Sequence, residues 1–360
     1  MFKFKFFLFI FFFLALLFPL LVRAIDDSPA IEATIVKVLE EKEIEVMGTS
    51  QLYQRLELEL TSPASGKAVI ENGLQPLANK IKYSVGDRVL LNLITNTEDQ
   101  FDYIIVDFVR KDSLFLLSII FILLLVAVTR WRGFAAILGM LFTFFIVFVF
   151  ILPRLLLGDN PLLIATLASL IIIPISFYLA HGLNKKTTIA IISSIISLII
   201  TALLASVFTE LAHLTGLSSE EAGMLSIDQS NLNMKGILLA GIVIGALGVL
   251  DDITISQAAI VDELARTANL SKVKDLYSRS MVIGKDHITS MVNTLVLAYA
   301  GASLPLLLIF THNPHPFLEI INYELIAEEI IRTLIGSIGL ILAVPITSLI
   351  AANFYKNNNL

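Results

Sequence analysis

Two periodicities divide this chain. Between residues 25 and 111, apolar and polar residues alternate in short runs: IEATIVKV, EIEV, QRLELEL, KAVIE, DRVLLNLI and FDYIIVDFV. In QRLELEL, Leu56, Leu58 and Leu60 fall on one side of a strand, and Arg55, Glu57 and Glu59 on the other. Turn residues separate the runs at Met47-Gly48-Thr49, Ser62-Pro63, Glu71-Asn72-Gly73 and Val85-Gly86-Asp87. Five or six such strands predict a small antiparallel β domain, a barrel or a sandwich.

After residue 111 the alternation gives way to long apolar runs. Seven segments approach the ~20 residues that cross a bilayer. They cover roughly 113–129, 133–152, 161–180, 187–208, 236–254, 287–310 and 330–352. A shorter apolar run opens the chain, with Lys3 and Lys5 before it and Val22-Arg23-Ala24 after it. Residues 1–24 therefore read either as a cleaved signal peptide or as a retained anchor helix. The expected fold class is an α-helical multi-pass membrane bundle over 112–356, carrying a small β-rich domain outside the cytoplasm over 25–111.

Composition agrees. The chain is 56% hydrophobic and only 16% charged, and its mean hydropathy is +0.85. Soluble domains run at about 25% charged residues. It contains no cysteine, which excludes disulfides, thiolate nucleophiles and zinc–thiolate sites. The net charge of −6 comes largely from the β segment and two later loops, so it does not speak to nucleic acid, and no basic aromatic groove is present.

Positive charge sets an orientation. Arg130 and Arg132, then Lys185 and Lys186, then Arg266, Lys272, Lys274, Arg279 and Lys285, then Lys356 fall on one side. The alternate loops hold little beyond Arg154 and Lys235. The expected location is the cell membrane, with the β domain outside and the C-terminus in the cytoplasm. Residues 255–285 predict an amphipathic helical hairpin at the inner face, with Ile260, Leu264 and Ala268 at helical spacing, Asp262 four before Arg266, and Ser271 as N-cap of its second helix. Such a hairpin can meet lipid headgroups, a partner, or its own bundle.

Candidate chemistry gathers at GALGVLDDITISQAAIVDEL, residues 245–264. On a helix, Gly241, Gly245, Gly248 and Asp252 lie within roughly 60° of one another, a smooth face that admits close helix contact. Asp251 lies about a quarter turn away. Carboxylates inside a bilayer are expensive and read as functional; at the headgroups they only mark where the lipid stops. The next apolar span begins GKDHITSMVNTLVLAYAGASLP. There His287, Ser290, Thr294, Ala298, Gly301 and Pro305 share one face, within roughly 100°. Asp251, Asp252, Asp286 and His287, with Ser290 and Thr294 behind them, are the groups a proton or cation relay needs. Their structural alternative is helix glue, with Gly241, Gly245, Gly248 and Gly301 as contact points.

These two blocks resemble the YibE/F-like family of bacterial membrane proteins, and the likeness extends over most of the chain from about Lys111 onward. The resemblance implies a multi-pass protein of the cell membrane, with no activity and no site residue to carry over. GVLDDITISQAAIVDELAR is also similar, more faintly, to the aspartate-bearing helix of RND and SecD/SecF-type permeases, which implies Asp251 and Asp252 as proton carriers.

Two functions follow as expectations. One is a permease or transport-associated protein with an ion-coupling Asp/His cluster. The other is a non-transporting scaffold or regulator that docks through the β domain and the inner hairpin. An enzyme is not expected, because no nucleophile–base pair or metal triad is present. His312 and His315 lack a carboxylate pattern that would hold a metal, and no cofactor is implied. The expected partners are the lipid bilayer and a membrane protein or second copy of the chain.

Overall fold

A computed structural model describes residues 31–62, 66–74, 81–95, 101–229, 231–267, 272–311 and 316–356. The signal or anchor segment 1–24 and the N-cap Ser271 lie outside the described residues. The chain forms two compact units, one over 19–125 and one dominated by 126–360.

In the first unit, five strands form one antiparallel sheet. They are β1 (Ile31–Val46), β2 (Thr49–Ser62), β3 (Gly66–Asn72), β4 (Arg88–Thr95) and β5 (Phe101–Phe108), in the order β3-β2-β1-β4-β5. The β1–β2 hairpin turns on Met47 and Gly48, with φ of 51° and 79°. Two successive positive φ values match the twist of the flanking strands. Leu56, Leu58 and Leu60 are buried as the alternation requires, in one cluster with Ala33, Ile35, Ile70, Val89 and Leu91. The edge strands β3 and β5 touch each other, so the sheet curls toward a closed barrel. Glu32 of β1 pairs with Arg88 of β4 (2.8 Å) and with Lys111, and Arg88 also pairs with Asp112. These charges fasten the sheet to the first turn of helix α1 (Lys111–Thr129).

The second unit is helical: α2 (Trp131–Leu156), α3 (Pro161–His181), α4 (Lys185–Leu211), α5 (Glu220–Asp228), α6 (Met234–Thr267), α7 (Val273–Ala302), α8 (Leu304–Thr311), α9 (Phe317–Ile320) and α10 (Glu324–Tyr355). Among the described residues six helices are long and apolar enough to cross a membrane: α1, α2, α3, α4, α6 and α10. Local sequence sets their starts. The Asn160 side chain accepts from Leu163 N (3.2 Å), with Pro161 in the first turn of α3, and Asn184 accepts from Thr187 N (3.0 Å) at α4. Helix α2 contains a π turn at Val147–Ile151, just before Pro153.

Helices α4, α6 and α10 pack against one another at the centre. Their shared surface is rich in hydroxyls. Ser193, Ser194, Ser197 and Thr201 of α4, Thr254 of α6, and Thr347 and Ser348 of α10 are all fully buried. Most donate to the carbonyl one turn back, as Thr201 does to Ser197 (2.8 Å). The Gln257 amide joins three helices, donating to Ser348 Oγ of α10 (2.7 Å) and to the Ser280 carbonyl of α7 (3.1 Å).

Two expectations are corrected. Residues 255–285 do not form a separate hairpin lying at the inner face. Residues 255–267 end α6 and residues 273–285 begin α7, single helices of 34 and 30 residues. No glycine or proline interrupts 252–267, and the buried face of α6 runs on through Ile253, Thr254, Gln257, Ala258 and Val261. Of the seven apolar segments, 287–310 is not one continuous helix. It stops at Ala302, is capped at Ser303 and restarts as α8. Pro305 has no N–H to donate to the turn before it, and its ring clashes with that turn's carbonyl.

Candidate functional site

The aspartate-bearing helix α6 presents two unlike faces. Its packed face is Ile242, Val243, Ala246, Leu247, Leu250 and Ile253, set against the central helices. The face expected to make close helix contact is the open one, because Gly241, Gly245 and Gly248 are exposed and so is Asp252. A Cβ placed on Gly241, Gly248 or Gly301 would meet nothing within 4 Å. Only Gly245 of that set has a neighbour, the Tyr299 hydroxyl of α7, 3.2 Å from where its Cβ would stand.

Tight helix approach occurs at other glycines. A Cβ on Gly284 of α7 would stand 2.6 Å from Val344 and 3.0 Å from the Gln257 amide. On Gly236 it would come 2.8 Å from Pro161, and on Gly339 of α10 it would collide with the Thr201 hydroxyl. These three lie one to a helix, so a search for repeated glycines on a single helix passes over them.

Asp251 is partly buried, and its Oδ1 is enclosed without a hydrogen-bond partner. Asp252, next in the chain, turns outward, and the two carboxylates feel each other's charge. His181, the last residue of α3, lies within electrostatic reach of Asp252, and Arg132 of α2 and Lys186 of α4 act on His181 in turn. His181 was missed by the sequence reading. It sits in YLAHGLNKK, where it reads as the end of a span, and only the packing of α3 against α6 brings it to Asp252.

On α7, His287 is half-buried and its Nδ1 is enclosed without a partner. Asp286, Ser290 and Thr294 are exposed. Thr294 donates to the Ser290 carbonyl (3.0 Å), the local bond expected of a hydroxyl on a helix. No hydrogen bond or ion pair joins Asp251 or Asp252 to Asp286 or His287. Asp251, Asp252 and His181 gather where α6 packs on α3, and His287 carries its hydroxyl stripe along α7.

A family model described as YibE/F-like protein matches residues 117–357, two thirds of the chain. The chain belongs to the YibE/F-like family. The match spans the helical unit from within α1 through α10, so both the aspartate helix and the His287 helix are parts of the family's own region. Family and apolar helices together mark a membrane protein. No curated protein and no solved structure matches the chain, so the likeness to RND and SecD/SecF-type permeases gains no support.

Proposed function

We propose that this YibE/F-like protein is a permease or transport-associated membrane protein, in which Asp251 and Asp252 exchange a coupling ion. One observation carries the reading: an enclosed carboxylate oxygen of Asp251, with no partner, halfway along an apolar helix and beside a second acid. An unpaired carboxylate away from water costs several kcal/mol, and folds keep such groups where an ion must come and go. His181 places an imidazole within electrostatic reach of Asp252, a second group able to take part in proton exchange. The bundle lies in the cell membrane with the β domain outside and the C-terminus in the cytoplasm, as the positive loops favour, and it acts without catalysing a covalent reaction. The test is proton flux in liposomes carrying a pH-sensitive dye, under an imposed pH gradient. Wild type dissipates the gradient and the Asp251→Asn/Asp252→Asn double variant does not. Identical traces would overturn the reading.

A second reading, docking, is favoured by a different observation. Val69, Leu93, Ile104 and Val106 are large apolar residues of the β unit, and all are exposed. Apolar side chains left exposed in this way are what a docking partner, another protein or a second copy, would cover. Deleting residues 31–108 is the stronger lesion on this reading, and retained function in that deletion would remove it.

A further inference from the structure

A second carboxylate with an enclosed, unpartnered oxygen lies near the start of α10. Glu328, in the second turn of α10, is only 7% exposed, and its Oε1 is enclosed without a hydrogen-bond partner. Four residues on, Arg332 has its Nε enclosed and likewise without a partner. Residues four apart on a helix face each other, so a vacant acceptor and a vacant donor occupy neighbouring positions on one face. Arg332 is instead engaged with Glu329, at 3.5 Å. The helix thus offers one guanidinium two carboxylates, at i−3 and i−4, and it holds the more exposed one.

The surroundings of Glu328 are sparse in charge. Glu324, Glu329 and Arg332 act on it from its own helix, and the Ser218 hydroxyl, in the loop before α5, hydrogen-bonds its carboxyl and leaves Oε1 vacant. Glu324 is itself occupied, accepting from Gly216 N (3.0 Å) and from Thr215. Tyr299 of α7 interacts electrostatically with Arg332 and Glu329. The charges near the matching ends of α4 and α6, Glu210 and Lys235, are paired with each other. A guanidinium beside the carboxylate disfavours a metal cation, and the occupant that fits is a proton.

We propose that Glu328 is a proton-exchanging site in which Arg332 alternates between Glu329 and Glu328. When solvent delivers a proton to Glu328 Oε1, an O–H bond forms and Arg332 holds Glu329. When that proton leaves, Arg332 swings its Nε–H to the ionised Glu328. No other bond changes. Tyr299 connects this site to Gly245 and the open face of α6, seven residues before Asp252. The inference extends the reading that acids of this unit exchange protons, but its test is independent of flux.

The experiment is carbodiimide labelling. Dicyclohexylcarbodiimide modifies carboxyls that carry a proton in apolar surroundings, and peptide mass spectrometry reports each adduct separately. The full-length protein in liposomes at pH 7 gives an adduct on Glu328 and none on Glu324. In Glu329→Gln the freed Arg332 turns to Glu328, and that adduct falls by about three-fold or more. In Arg332→Gln it rises. Glu329 is a partly exposed side chain, so Glu329→Gln alone decides the matter if Arg332→Gln does not fold. No adduct on Glu328 between pH 5 and 8, or equal labelling in wild type and Glu329→Gln, would overturn the proposal. A loss of flux dependence on Asp251 and Asp252 with labelling intact would remove the transport reading and leave the Glu328 switch standing.

Discussion

Ser194 of α4 and Thr254 of α6 share a hydrogen bond 2.7 Å long, and neither hydroxyl is exposed. Thr254 also donates to its own helix at the Leu250 carbonyl, so Ser194 Oγ depends on this one cross-helix partner. Thr254→Val keeps shape and volume while leaving Ser194 without its partner. A loss of about 1 kcal/mol is expected, measured as thermal unfolding in detergent. The double change Thr254→Val/Ser194→Ala should recover part of it, because no polar group is then stranded. Equal stability of wild type and Thr254→Val would show that the bond contributes nothing.

Glycine positions give opposite expectations on neighbouring helices. Gly339→Ala drives a methyl into Thr201, whose β-branched side chain has little rotamer freedom to move away. The expected cost is about 1–3 kcal/mol, relieved by Thr201→Ala in the same chain. Gly241→Ala and Gly248→Ala meet open space. They should stabilise α6 by up to about 1 kcal/mol, since alanine loses less backbone freedom than glycine. Melting curves of the four variants separate the two classes, and a destabilised Gly248→Ala would contradict the packing described.

Asp251 invites a trade between stability and activity. If its unpartnered carboxylate is kept for function, an apolar replacement of similar size should remove a cost. Asp251→Leu is expected to raise stability by about 1–3 kcal/mol while abolishing proton flux. Asp286→Asn, at an exposed position, should leave stability unchanged. A destabilised Asp251→Leu would mean that the carboxylate helps hold the bundle together.

In the β unit, acid should act through Glu32. Lys111 first, and Arg88 after it, hold the Glu32 carboxyl below its ordinary value of 4.5. A carboxyl whose affinity for protons is lowered by folding adds stability above its unfolded pKa. That stability fades as pH falls through the lower, folded value. Thermal unfolding followed from pH 7 to pH 3 should therefore drop more steeply in wild type than in Glu32→Gln. Parallel curves would show that these exposed pairs are screened to nothing.

Sidedness has a direct check, because the chain contains no cysteine. A single cysteine at Lys82, an exposed position of the β unit, should react with a membrane-impermeant maleimide on intact cells. One at Lys356 should react only after permeabilisation. Reversed labelling would invert the proposed topology.

The strands were legible because they are amphipathic: Leu56, Leu58 and Leu60 declare their face without help from distant residues, although IEATIVKV and EIEV, two runs in the sequence, form one 16-residue strand. The long helices were legible as apolar mass. Their limits were harder to read, because charge within 255–285 reads as a separate amphipathic hairpin. Only the uninterrupted buried face from Leu250 to Val261 shows that α6 continues. Spacing placed Gly241, Gly245 and Gly248 together correctly on one face. It could not say whether that face meets a helix or open space, since this is decided by residues far away in sequence. The same holds for His181, Glu328 and Arg332. Their significance lies in which partner each has or lacks, and a linear reading of YLAHGLNKK or IAEEIIR does not contain it.

Helix α6 is 34 residues long, about 51 Å at 1.5 Å per residue. A bilayer's hydrocarbon layer is about 30 Å thick. At the ~20° tilt usual for membrane helices, about 18 Å of the rod projects beyond the lipid. With no glycine or proline between Asp251 and Thr267, that overhang has no joint. A push on its tip, from a partner or from α7 beside it, would tilt the stretch bearing Asp251 and Asp252 as a lever tilts about its fulcrum.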